Sequence, residues 1–188
     1  MGNPQPPHQV LLVMAAFSRH AEGLAWAKET AERHLGPVAL TSPNFDFNQT
    51  DYYTVSMGTN LKKVFYAFET LVDPSELPRV KRMANDWEDE YGRMGTCPEA
   101  RPLNLDPGYI TEAKLVLAST KDHAHRLYLQ SGIYGEVTLY YQHRQWRCHP
   151  WTFPDYQTAD YHSFFERCRN YLRDRRANRP AAAGEGMV

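Results

Sequence analysis

An α+β domain is the fold class predicted by this 188-residue sequence, and three observations predict it. The apolar run Val10 to Phe17 is followed by a helical stripe and a second short apolar run, Val38 to Thr41. A well-capped amphipathic helix stands in mid-chain after Asp73, and alternating stretches around Gln130-Ser131-Gly132 lead into a last amphipathic helix. We therefore expect a single domain over residues 9–176 with a β-α-β start, a mixed sheet containing an antiparallel meander, and a C-terminal helix packed on the sheet. The Pro-rich residues 1–8 read as a flexible arm, and residues 177–188, with nothing to bury, as a disordered tail.

The run from Gln9 to Phe17 has no polar alternation, which predicts a strand covered on both faces. Ser18 offers an N-cap to a helix lined by Leu24, Ala27, Ala31 and Leu35, which Gly36-Pro37 stops. Between Ser42 and Thr59 turn formers and aromatics mix, so this segment packs back on the domain or lines a pocket. Its chemical groups are Asp46, Asp51, Tyr52 and Tyr53. Leu61 to Leu71 has the aromatic and β-branched content of a strand.

Asp73 as N-cap, Pro74 at the first helical position and Glu76 at the capping-box position start the mid-chain helix. Leu77, Val80, Ala84, Trp87 and Tyr91 form its single apolar stripe, and Gly92 and Gly95 end it. Asn104-Leu105-Asp106-Pro107-Gly108-Tyr109 reads as a carboxylate held in a stiff Pro-Gly turn. Thr111 to Leu117 is a short helix or a strand, with the helix preferred. A loop of three residues at 130–132 pairs Leu129 with Ile133 and Arg126 with Glu136, keeping the apolar residues of both strands on one face. The Arg126–Glu136 pair is then expected to be exposed. A third strand, Gln145 to His149, follows the His143-Arg144 turn, and Tyr161, Phe164, Phe165, Cys168, Tyr171 and Leu172 line the last helix.

Composition bounds the function more than it names it. Hydrophobic residues at 42% and charged residues at 23% are ordinary for a globular domain. The longest apolar run is far below the roughly 18 residues of a spanning helix, so no membrane association is expected, and the N-terminus lacks a signal-peptide pattern. Three cysteines without a CxxC spacing suggest reduced thiols and a cytoplasmic setting. The net charge of −1 conceals six arginines between residues 166 and 179 against Glu166 and Asp174. A solvated helix end explains them, and the near-neutral whole argues against strong nucleic-acid binding.

Four motifs carry a family resemblance: Thr50-Asp51-Tyr52-Tyr53, Asn104 to Tyr109, His125-Arg126-Leu127-Tyr128-Leu129, and Trp151-Thr152-Phe153-Pro154-Asp155-Tyr156. With them, in this order, the chain resembles the prokaryotic family called domain of unknown function 4416 over about residues 9–173. The resemblance implies no activity. It departs from the family pattern at Ser56, where an acidic residue normally precedes Met57-Gly58. Some members are labelled GTP-binding, but there is no GxxxxGK[ST] phosphate loop here.

The candidate chemistry is anion binding. Lys121, His125 and Arg126 could hold a phosphate or carboxylate, with Tyr52, Tyr53, Asn104 and Tyr109 as further ligand contacts. Asp106, Asp51 and His125 are the candidate catalytic groups, a carboxylate serving as general base or holding a hydroxyl. If a strand began at His125, His125 and Arg126 would point to opposite faces. His123 with His125, or His143 with Cys148 and His149, match no recognised metal-ligand spacing, so no metal site and no cofactor is assigned. The expected function is thus binding of, or action on, a small phosphate- or nucleotide-like anion. The alternative is a non-catalytic protein that meets RNA or a protein partner through exposed aromatics and the arginine-rich C-terminal helix.

Overall fold

The computed structural model describes residues 2–49 and 53–178. The expected contributions of Asp51 and Tyr52, and the tail from residue 179 onward, lie outside the described residues. The elements are β1 (Val10–Ser18), α1 (Ala21–Leu35), β2 (Val38–Thr41), β3 (Phe45–Phe47), α2 (Thr54–Met57) and β4 (Leu61–Val72). There follow α3 (Leu77–Arg93), β5 (Asn104–Ile110), β6 (Lys114–Ser119), β7 (Leu127–Gln130), β8 (Ile133–Gln142), β9 (Gln145–Cys148) and α4 (Ala159–Ala177). Among the described residues no helix is long and apolar enough to cross a membrane.

One sheet organises the chain, in the order β2-β4-β1-β5-β6-β8-β7, with β3 added to β4 and β9 to β8. The ladders are antiparallel. Because β1 and β2 both run against β4, they are parallel to each other. The β-α-β start is therefore present with β4 inserted between its strands, and the mixed sense of the sheet lies there rather than in a parallel ladder.

As its unbroken apolar run requires, β1 is buried along its whole length. Its odd residues Leu11, Val13 and Ala15 face a core closed by Tyr161, Phe164, Phe165, Cys168 and Leu172 of α4. The even residues Leu12, Met14 and Ala16 face Leu24, Ala27 and Ala31 of α1 and Val80, Ala84 and Trp87 of α3. Alternation along one central strand thus builds two cores, one on each side of the sheet.

Several expectations are corrected. Ser18 is the last residue of β1 rather than a helix cap: His20 takes the N-cap position, while Ser18 Oγ donates to the Pro102 carbonyl (2.6 Å) and accepts from His20 N (3.0 Å). Asp73 does cap, accepting from Ser75 N at 2.8 Å, but Glu76 turns to Arg79 instead of closing a capping box. Asn104 to Tyr109 is a strand, not a turn. Glycine is needed at 108 because a Cβ there would fall on the Val116 carbonyl oxygen and lie 2.7 Å from Leu117 Cδ2. Pro107 stands just before the point where pairing with β6 begins, a place where a missing N–H is tolerated.

The segment after Thr111 is strand β6, since Thr111 Oγ1 caps only a tight turn by accepting from Ala113 N and Lys114 N. In the hairpin, Leu127 pairs with Gly135 and Tyr128 with Tyr134, the expected register, before a bulge lets Gln130 meet Ile133. Ser131 and Gly132, both at positive φ, make the turn. The strand β7 is not half-buried as expected, because it is the sheet edge and all four of its residues are exposed. The Arg126–Glu136 pair, expected to be exposed, is buried, at 5% and 1% side-chain exposure.

Candidate functional site

The ladder between β5 and β6 covers only Gly108 to Ile110, whereas β6 continues beside β8 to Ser119. Upstream of Gly108 the two strands part, and a cavity of about 780 Å³ is lined by Asn104 and Asp106 from one strand and by Leu117 to Lys121 from the other side. The size suits a metabolite. An aromatic wall closes it, where Tyr53 meets Phe17 edge-on at 5.0 Å and Phe47 lies 4.9 Å from Phe17. Phe17 is opposite Lys63 in β4 and Asn104 in β5, so sheet register alone places an aromatic, a cation and an amide in one row.

Lys63 Nζ donates to Asp155 Oδ2 at 2.7 Å, and both side chains are almost fully buried. The ammonium also lies 4.5 Å from the Tyr156 ring centroid and 4.9 Å from that of Phe47, contacts that favour a desolvated cation. Lys81 reaches from α3 through the gap, donating to the Leu105 carbonyl (2.8 Å) and to Asp106 Oδ1 (3.1 Å). Asn104 Nδ2 donates to Asp106 Oδ2 at 2.8 Å. Burial alone would push the Asp106 carboxyl up, but Lys81 and Lys63, with the hydrogen bonds from Lys81 and Asn104, outweigh it and hold it below the ordinary carboxylate value.

A second carboxylate, Glu88, accepts from Leu105 N (2.7 Å) and Arg101 Nη2 (2.6 Å); Arg101 also bonds Asn104 Oδ1. Burial raises Glu88 above its ordinary value despite those cations. On the far wall Arg126 donates through Nε to Glu136 Oε2 (2.7 Å) and through Nη1 to Ser119 Oγ (2.7 Å) and the Lys121 carbonyl (3.0 Å). Arg126 therefore shapes the 119–121 loop as well as facing the cavity.

Of the residues singled out in the sequence, Tyr53, Asn104, Asp106, Lys121 and Arg126 line this one cavity. His125 and Tyr109 do not. His125 Nε2 lies 3.2 Å from Glu136 Oε2, and its ring stacks between His123 (5.9 Å) and Trp151 (5.3 Å). Because the strand starts only at Leu127, His125 and Arg126 both reach Glu136 and the opposite-face objection does not apply. Tyr109 packs on the other face with Leu77, Val116 and Ile133, where burial raises its hydroxyl. Asp46 pairs with Lys62 on the surface.

Sequence reasoning missed Lys63, Lys81, Glu88 and Arg101, and it named Glu136 only as the expected exposed partner of Arg126 and Asp155 only within a family motif. One signal was present. Adjacent Lys62 and Lys63 in a strand must point to opposite faces, so in a covered strand one of them has to be buried with a partner.

The architecture is thus an α+β protein built on one predominantly antiparallel sheet, with a charged and aromatic cavity where two of its strands part. The profile of the family described as Domain of unknown function (DUF4416) matches residues 8–171, and the chain belongs to that family. No curated protein and no solved structure matches it.

Proposed function

We propose that the cavity between β5 and β6 binds a small nucleotide-like anion. The observation that carries this reading is the composition of its lining. Lys63, Lys81, Arg101, Lys121 and Arg126 face five carboxylates there, Glu88, Asp89, Asp106, Glu136 and Asp155, beside the wall of Phe17, Phe47 and Tyr53. Such a balanced set suits a ligand with three parts. A phosphate would take donors that the carboxylates leave over, since an ammonium has three N–H groups and Lys81 uses two of them. Hydroxyls would donate to Asp106, whose oxygens each accept one bond already and have lone pairs left. A ring would pack on the aromatic wall.

In a catalytic version Asp106 is the carboxylate that accepts from a ligand hydroxyl; its depressed value makes it a weak base, suited to orienting that hydroxyl more than to taking its proton. The partner-surface alternative draws less support on α4, because Arg169 and Arg176 are engaged within the chain. Arg169 donates to the Glu112 carbonyl (2.7 Å), and Arg176 donates to Glu112 Oε1 (2.9 Å) and the Gln9 carbonyl (2.6 Å).

Thermal-shift screening against inorganic phosphate, sugar phosphates, nucleosides and nucleotides tests the proposal. Nucleotides should stabilise more than either phosphate or nucleoside alone, by about 2.7 kcal/mol at a hundredfold excess over Kd, and Asp106→Ala should abolish the nucleoside share. A flat response to every anion at millimolar concentration overturns it.

A further inference from the structure

Away from the cavity, three side chains of different donor chemistry converge where the β1–α1 corner meets the loop after α3. They are His20, Cys97 and Glu99, whose nitrogen, sulfur and oxygen atoms all lie within 4.8 Å of one another. None of the three lines the cavity. We propose that they form a divalent transition-metal site of the zinc type, with three protein ligands and the fourth position left for water.

The donor set suits that ion. Imidazole nitrogen, thiolate sulfur and carboxylate oxygen are its ordinary ligands, and three protein ligands with a water is its common open arrangement. The local covalent structure presents them together. Cys97-Pro98-Glu99 places two ligands on either side of a proline in a short loop. The third comes from His20, which is tied to that loop because Ser18 Oγ accepts from His20 N and donates to the Pro102 carbonyl. Glu99 is turned inward although it sits on a surface loop, its side chain only 9% exposed.

The carboxylate is also oriented from behind, as carboxylate ligands of metals commonly are. Arg19 Nη1 donates to Glu99 Oε1 at 3.0 Å, leaving Oε2 on the side of His20 Nε2, 2.8 Å away. Arg19 in turn packs against Gly58, which is at φ +78, where a Cβ would come 2.8 Å from the guanidinium. Among the described residues the polar contacts of Cys97 Sγ are long, to the Tyr91 hydroxyl at 3.9 Å and Thr96 Oγ1 at 3.8 Å, and neither competes strongly with a metal for the sulfur. Tetrahedral bonding at zinc distances needs ligand atoms about 3.3–3.6 Å apart. Binding would therefore draw Cys97 Sγ inward from its present place within 4.8 Å of the other two donors and spread His20 Nε2 and Glu99 Oε2 from 2.8 Å, the ion taking the place of the hydrogen bond between them. Once bound, the metal would pin the loop that carries Arg101 into the cavity wall.

The test is titration of the full-length protein with Co²⁺ and then Zn²⁺. Co²⁺ should bind one to one and give a sulfur-to-cobalt charge-transfer band in the near ultraviolet, which Zn²⁺ bleaches. The band should vanish in Cys97→Ser and persist in Cys148→Ser, a control needed because Cys148 Sγ lies 3.9 Å from His162 Nε2. By competition with a chromophoric chelator, His20→Gln and Glu99→Gln should each weaken Zn²⁺ binding tenfold or more, and Zn²⁺ should raise the melting temperature of the wild type and of Cys148→Ser but not of the His20, Cys97 or Glu99 variants. No band at stoichiometric Co²⁺, or a band that survives Cys97→Ser, overturns the proposal. If Cys97→Ser does not fold, Glu99→Gln decides the matter, since unchanged Zn²⁺ affinity there is equally fatal. Nucleotide binding in the cavity is read independently of all these outcomes.

Discussion

Replacing Lys63 by methionine isolates the ion pair at the base of the cavity. Lys63 and Asp155 are 2.7 Å apart with side chains 3% and 5% exposed, so removing the ammonium from its place against Phe17, Phe47 and Tyr156 leaves the Asp155 carboxylate buried without its cation. Breaking a buried pair in this way costs about 3–5 kcal/mol. For a chain of this size that is a fall of roughly 6–20 °C in Tm. Methionine retains most of the apolar contact with the rings, so the loss reports the charge rather than a void. In the double variant Lys63→Met/Asp155→Leu both charges are gone, and stability should return to within about 1 kcal/mol of the wild type or exceed it. Urea denaturation of the wild type, both single variants and the double variant closes the cycle and gives the coupling energy. A single Lys63→Met cost below about 1 kcal/mol, or a double variant that loses the sum of the two singles, would show that water reaches the pair and would refute the reasoning.

Three further outcomes follow from the same geometry. Gly108→Ala puts a methyl 2.4 Å from the Val116 carbonyl oxygen, where backbone has to move, so urea denaturation should show a loss toward the upper end of the roughly 1–3 kcal/mol that overpacking costs. Asp106 has a depressed native value, so its stabilising contribution is complete above the ordinary carboxylate value near 4 and is lost as pH falls through the native one. The stability gap between wild type and Asp106→Asn, measured by chemical denaturation at stepped pH, should therefore narrow on acidification and not on raising the pH. Arg126→Lys keeps the charge but cannot reach Glu136, Ser119 and the Lys121 carbonyl at once. It should cost about 1–3 kcal/mol, and hydrogen exchange should quicken over residues 119–123.

The sequence made the fold legible wherever one face of an element had to be apolar. The unbroken run of β1, the stripe of α3 and the register of Leu127 and Tyr128 against β8 all follow from periodicity, because a slip of one residue would have exposed the core. What misled was local punctuation. Pro107-Gly108 looks like a turn when read alone, yet both residues belong to an inner strand. The reason is tertiary, since Gly108 makes room for the backbone of β6 and nothing in its neighbours announces that.

The cavity was half legible for a related reason. Asn104 and Asp106 stood out beside Pro107-Gly108, and Arg126 in its group with Lys121 and His125, but Lys63 and Lys81 were hidden inside elements whose periodicity favoured their neighbours. The meeting of His20 with Cys97 and Glu99 spans almost eighty positions in the chain and is visible only after folding.

The three-residue ladder at Gly108 to Ile110 is also a mechanical fact. It is the seam between a group built on β2, β4, β1 and β5 and another built on β6, β8 and β7, and a wedge-shaped opening lies at its end. What stiffens the joint is α4, whose aromatic side packs on Leu11, Val13 and Ala15 of the first group and shares its core with Leu115, Leu117 and Leu139 of the second. The last helix thus acts as a splint, and a shift of that helix would alter how far the opening gapes.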